Sequence, residues 1–129
     1  MTLGMEKVLA DGYDQALARI PEALKSEGFG VLTEIDVAET LKKKLGVDFR
    51  RYRILGACNP LLAHQALQAR LDAGVMLPCN VIVYEGDDGR AVVIAVDPME
   101  TAAARQDPQI RGVAAVVRAK LERVLAQLQ

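Results

Sequence analysis

An α+β domain built on an antiparallel sheet is predicted by three observations. Two apolar runs, "CNVIVYE" (Cys79 to Glu85) and "RAVVIAV" (Arg90 to Val96), are separated only by Gly86-Asp87-Asp88-Gly89, the pattern of a β-hairpin. Near the C-terminus, Ile110, Ala114, Val117, Leu121, Val124 and Leu128 recur at alternating steps of four and three, which makes a narrow helical seam. Between the ends, cap residues precede helical patterns and glycines follow them, so that strands and helices alternate. The 129 residues fit one domain spanning 1–129.

The elements follow in order. Met5 to Ala10 reads as a first strand at an edge. Asp11 offers an N-cap for a helix whose apolar positions are Tyr13, Leu17, Ile20 and Leu24, with Pro21 predicting a kink or a late start. "FGVLTEI", Phe29 to Ile35, reads as a strand with Phe29, Val31, Thr33 and Ile35 on one face. Asp36 and Glu39 then form a capping box, opening a short helix that Gly46 stops. "YRILGAC", Tyr52 to Cys58, is the next strand. Asn59 caps and Pro60 begins a helix expected to run to about Ala73, with Gly74 as its stop. In the hairpin, a Glu85–Arg90 pairing places Cys79 opposite Val96 and Asn80 opposite Ala95. Asp97-Pro98 and Asp107-Pro108 each open a further helix, and the seam of the last one packs on the sheet, with a share in a dimer as the alternative.

Composition removes several classes of function. The chain is 51% hydrophobic with 16 basic and 17 acidic residues, so it lacks the basic excess of a duplex-binding protein. It has no Trp, two Phe and three Tyr, too few aromatics for a single-strand stacking platform. The run Lys42-Lys43-Lys44 ends a helix, where cations meet the helix dipole favourably. No apolar stretch approaches the ~20 residues of a membrane span, and the N-terminus lacks a signal-peptide pattern. A cytoplasmic protein with two free thiols is expected, binding neither nucleic acid nor membrane.

The chemistry-bearing residues gather between Ile54 and Glu85, which hold both cysteines and the single histidine. Cys58 stands just ahead of a capped helix, where amide dipoles favour a thiolate. With Ala63, Leu67 and Leu71 taken as the apolar stripe of that helix, His64 falls on its flank and points partly inward. A Cys–His nucleophile needs direct contact and an orienting third group, which spacing alone does not supply. A zinc site drawing on Cys58, Cys79 and His64, with Asp97 as a fourth ligand, lacks both CxxC and HxxxH. A helix of about fourteen residues travels about 20 Å, enough to set the two cysteines at opposite sheet edges unless it lies diagonally. Asn59, Asn80 and Asp97 also read as caps and turn residues, and the helix start at Asn59 is a ready anion site.

Three stretches, "EGFGVLTEIDVAETLKKKLGVDFRRYRILGACNP", "AHQAL" and "LPCNVIVYE" followed by "VDP", resemble the uncharacterised prokaryotic domain-of-unknown-function family 302. The resemblance runs from Glu27 to Pro98 and includes Cys58, Asn59, Pro60, His64, Pro78, Cys79 and Asn80. It implies a curved antiparallel sheet with helices packed on one face, a TATA-box-binding-protein-like arrangement, in compact dimers. It implies no activity, so no catalytic residue, metal or cofactor is assigned.

The expected function is non-enzymatic: a homodimeric small-ligand-binding or protein-interaction domain whose concave sheet face or dimer groove receives its partner. The ligand-binding candidates are Cys58, Asn59, His64, Cys79, Asn80 and Asp97. The alternative is thiol redox or metal-dependent chemistry through Cys58, Cys79 and His64.

Overall fold

The computed structural model describes residues 2–129. Strand β1 (Gly4–Gly12) leads into helix α1 (Tyr13–Ser26), then β2 (Gly30–Asp36) into α2 (Val37–Leu45). Strand β3 (Tyr52–Cys58) leads into α3 (Pro60–Ala69) and a 3-10 segment, Leu71–Met76. The hairpin β4 (Cys79–Glu85) and β5 (Arg90–Val96) is followed by a 3-10 turn, Pro98–Glu100, and helices α4 (Ala102–Gln106) and α5 (Pro108–Gln127). The strands form one sheet in the order β1-β5-β4-β3-β2, every neighbouring pair antiparallel, with β1 and β2 at the edges. The predicted α+β class holds.

Most of the punctuation acts as the sequence predicts. Asn59 Oδ1 accepts from the Leu62 amide at 3.3 Å, with Pro60 in the first helical turn. Asp36 accepts from the Glu39 amide at 3.0 Å, and Gly46 ends α2 at φ 68°. Only half of the capping box forms there, because the Glu39 carboxylate takes Lys43 Nζ at 2.7 Å one turn on. Asp97 caps through the Met99 amide, and Asp107 through Gln109 and Ile110.

Five expectations are corrected. Asp11 does not cap α1; it pairs with Arg19, and Gly12 stands at the cap with its amide donating to the Gln15 side chain. Pro21 sits exposed within a continuous α1 and breaks nothing. In β2 a bulge between Val31 and Thr33 flips the alternation, so Phe29 and Val31 face the core while Ile35 pairs with Ile54 on the other side. Helix α3 stops at Ala69, because Arg70 turns extended at φ −160° and the chain continues as a 3-10 segment. The hairpin register is one residue from the expected one: Glu85 pairs with Ala91 and Val81 with Ala95. The cause is the loop. The Gly86 amide donates to the Arg90 carbonyl at 2.8 Å, closing a three-residue loop that ends on Gly89 at φ 86°.

One sheet face is covered by α1 and α5. Leu9, Leu55, Val81, Val83 and Val93 meet Ile20 and Leu24 of α1 and Leu121 and Val124 of α5 in a core whose largest side chains are fully buried. The α5 seam is core, as the packing reading expects: each of its six residues is buried. A second, smaller cluster lies between α3, the 3-10 segment, α4 and the first half of α5. It consists of Ala66, Ala73, Ala104, Ile110 and Ala114.

The opposite sheet face carries an unbroken row of isoleucines. Ile35 pairs with Ile54, Ile54 with Ile82, and Ile82 with Ile94, across four adjacent strands. Beside it Tyr52 stacks on Tyr84, ring centroids 5.5 Å apart, and Tyr84 pairs with Val92. None of these isoleucines belongs to either core cluster, and Ile35 remains 48% exposed.

Candidate functional site

Where the two clusters meet, side-chain packing leaves a cavity of about 100 Å³. Its floor is the end of the sheet, from Ala57, Cys58, Cys79 and Val96; its walls are Leu62, Ala63 and Ala66 of α3 and Ile110, Val113, Ala114 and Val117 of α5. The roof comes from Ala73, Met76 and Leu77 on one side and from Pro98, Thr101 and Ala103 on the other. The cavity has a direct origin in the sequence. Alanines at Ala66, Ala73, Ala103 and Ala114 line the space with side chains too short to fill it.

The polar groups at this cavity are already engaged within the protein. Asn59 accepts from the Leu62 amide and donates through Nδ2 to the Glu27 carbonyl at 3.3 Å. The Thr101 hydroxyl donates to the Pro98 carbonyl at 2.9 Å and accepts from the Ala104 amide. No charged side chain lines it. The arrangement suits a neutral, apolar occupant, since an ion brought here would lose its hydration without gaining a partner.

The two cysteines come closer than the sequence argument expects. Ala57 pairs with Cys79 across β3 and β4, so Cys58 stands one residue along the neighbouring strand rather than at the far sheet edge. The expected helix of about fourteen residues does not form: α3 ends at Ala69 and the chain returns through the 3-10 segment, so the span that would separate the cysteines is absent. Both cysteines border the cavity and both are free thiols. Burial, with a smaller contribution from the charge of Cys58, pushes the Cys79 thiol up to about 11, so it is protonated at neutral pH and a poor nucleophile.

The other candidates do not join them. His64 is exposed on α3, the buried stripe of which is Leu62 and Ala66 rather than Ala63, Leu67 and Leu71; Leu71 itself is 90% exposed. Asn80 is exposed on the isoleucine face, opposite Gly56. There it flanks a close approach, because a Cβ on Gly56 would fall 2.7 Å from the Pro78 ring. Asp97 caps the 3-10 turn and pairs with Arg118 of α5 at 3.1 Å. Among the described residues no group of three or more His, Cys, Asp or Glu side chains is placed to hold a metal ion.

Sequence reasoning missed most of the cavity wall. Met76, Thr101 and Ala103 carry no motif, and Ala66 and Ala114 stand only in a family stretch and a helical seam that mark no pocket. Their signal is a spread of small residues through three amphipathic segments, which becomes legible only when those segments are seen to converge.

Comparison with known proteins agrees with this architecture. The profile of the family described as "Domain of unknown function DUF302" matches residues 5–128. The chain belongs to this family. A DUF302 crystal structure, that of an uncharacterized conserved protein from Bacillus stearothermophilus, is similar over 100% of both chains, with 31% identity and a TM-score of 0.90. No curated protein matches the chain. As a DUF302 domain the chain thus shares its fold with a solved protein end to end. Among its described residues no helix is long and apolar enough to cross a membrane.

Proposed function

We propose that this DUF302 protein is a non-enzymatic binding domain whose site is the cavity between the two hydrophobic clusters, and that its ligand is a small, neutral, apolar molecule. The observation that carries the reading is the cavity's lining: apolar side chains and internally satisfied polar groups, with its most buried thiol held protonated. Engineered apolar cavities of ~150 Å³ stay dry and take up benzene, so a space of about 100 Å³ matches ligands of that order. The free thiols fit a reducing, cytoplasmic setting. Titration with benzene, followed by NMR of the methyl groups, tests the proposal. Saturable shifts confined to Leu62, Ala66, Val113 and Ala114 are expected; shifts scattered over the surface, or none, would overturn it.

The protein acts in this reading as a homodimer joined through the isoleucine face. The row Ile35-Ile54-Ile82-Ile94, flanked by Tyr52, Tyr84 and Val8, presents apolar side chains at the middle of a sheet face, where a solvated face carries polar ones. A second copy covers this row with the same row by a two-fold axis, which needs no complementary charge. Sedimentation at micromolar concentration is expected to give a dimer, and Ile82→Lys a folded monomer. A wild-type monomer at about 100 μM, weaker than specific interfaces of standard size, would contradict it.

A further inference from the structure

The roof of the apolar cavity is thin. A second hollow of about 220 Å³ opens outward between the 3-10 segment and α4, bounded by Arg70, Asp72, Val75 and Gln106. Ala73, Met76 and Ala103 border both spaces, so the two hollows share a wall of small or flexible side chains. Met76 is the most adaptable of the three, an unbranched thioether whose rotation would open a passage through this wall. The inner space is lined by apolar side chains, whereas the outer one adds Arg70, Asp72 and Gln106 to an apolar wall. The guanidinium of Arg70 in the outer hollow is already met by two carboxylates, Asp72 at 2.5 Å and Asp107 at 3.6 Å. An incoming anion would face both of them. An incoming cation would face Arg70. Gln106 offers an amide that both donates and accepts without adding charge.

Resting on the cavity reading above, we propose that the ligand is a short-chain amphiphile with an uncharged hydrogen-bonding head. Its alkyl chain fills the inner cavity, and its head lies in the outer hollow against the Gln106 amide. By comparison with cavities that accept benzene, the inner space holds a chain of roughly four to six carbons.

The test is calorimetric titration of the full chain with 1-hexanol, hexanoate and hexylammonium, beside benzene as the probe of the inner space alone. Hexan-1-ol is expected to bind at least threefold more tightly than either charged analogue. Gln106→Ala is expected to weaken 1-hexanol binding roughly threefold, the loss of one modest hydrogen bond, and to leave benzene binding within twofold of wild type. Hexanoate or hexylammonium binding as tightly as the alcohol would overturn the uncharged head, and an unchanged 1-hexanol affinity in Gln106→Ala would overturn its placement. Binding of benzene alongside either result would leave the inner cavity standing; failure of benzene itself would bring down both readings.

Discussion

The two hydrophobic clusters are built from different side chains, and that difference makes the site. Against the sheet centre, Leu9, Ile20, Leu24, Leu55 and Leu121 interlock and are fully buried. Under α3 and α4 the cluster is four alanines and one isoleucine. In the second cluster alanine lacks the reach to close the space between its elements. Bulk in one place gives a rigid base, and its absence in the other leaves a pocket. Neither arrangement needs a polar group to define it.

Four experiments would break or sharpen this contrast, beginning with the largest effect. Leu121→Ala removes a fully buried side chain from the tight cluster and is expected to cost about 2–5 kcal/mol in denaturant unfolding. A loss below 1 kcal/mol would mean that the large cluster is loosely packed. Ala16→Leu, also in that cluster and fully buried, is expected to cost about 1–3 kcal/mol, because no space receives the added atoms.

Alkaline unfolding probes the boundary between the clusters. The Cys79 thiol is held up to about 11, against an ordinary value of 9.0. A thiol raised in the folded state favours folding fully below its unfolded value, and that contribution is lost as pH rises through the folded one. Wild type is therefore expected to lose on the order of 1–3 kcal/mol relative to Cys79→Ala between about pH 9 and pH 11. Parallel stability curves for the two proteins would show Cys79 to be open to water. Smallest in stability is Ala66→Leu, the same chemical change as Ala16→Leu made at the cavity wall. It is expected to alter stability by less than about 1 kcal/mol in either direction while abolishing benzene binding. Equal costs at positions 16 and 66 would erase the distinction on which the site rests.

The architecture was legible where local chemistry decides it. Caps at Asp36, Asn59, Asp97 and Asp107 and the bounds of β3 depend on neighbours in sequence, and they form where sequence reasoning puts them. The errors fall where a single extra residue or a tertiary contact intervenes. The bulge in β2 and the three-residue hairpin loop each shift a strand by one position, which periodicity cannot see. Arg19 draws Asp11 away from the helix start, and Arg70 ends α3 early before pairing with Asp72 and Asp107.

The candidate site was legible only at its floor. Cys58 and Cys79 attract attention because thiols are rare and reactive, yet their neighbours in space are alanines from α3, the 3-10 segment and α5. The isoleucine row had a fainter signal. "YRILGAC", "CNVIVYE" and "RAVVIAV" do not alternate cleanly between apolar and polar, which indicates strands with two apolar faces.

The most direct test of the central claim is diffraction from crystals pressurised with xenon. A single strong xenon site bounded by Leu62, Ala66 and Ala114, lost in Ala66→Leu, is the expected result. An empty cavity in a crystal that binds xenon elsewhere would contradict it.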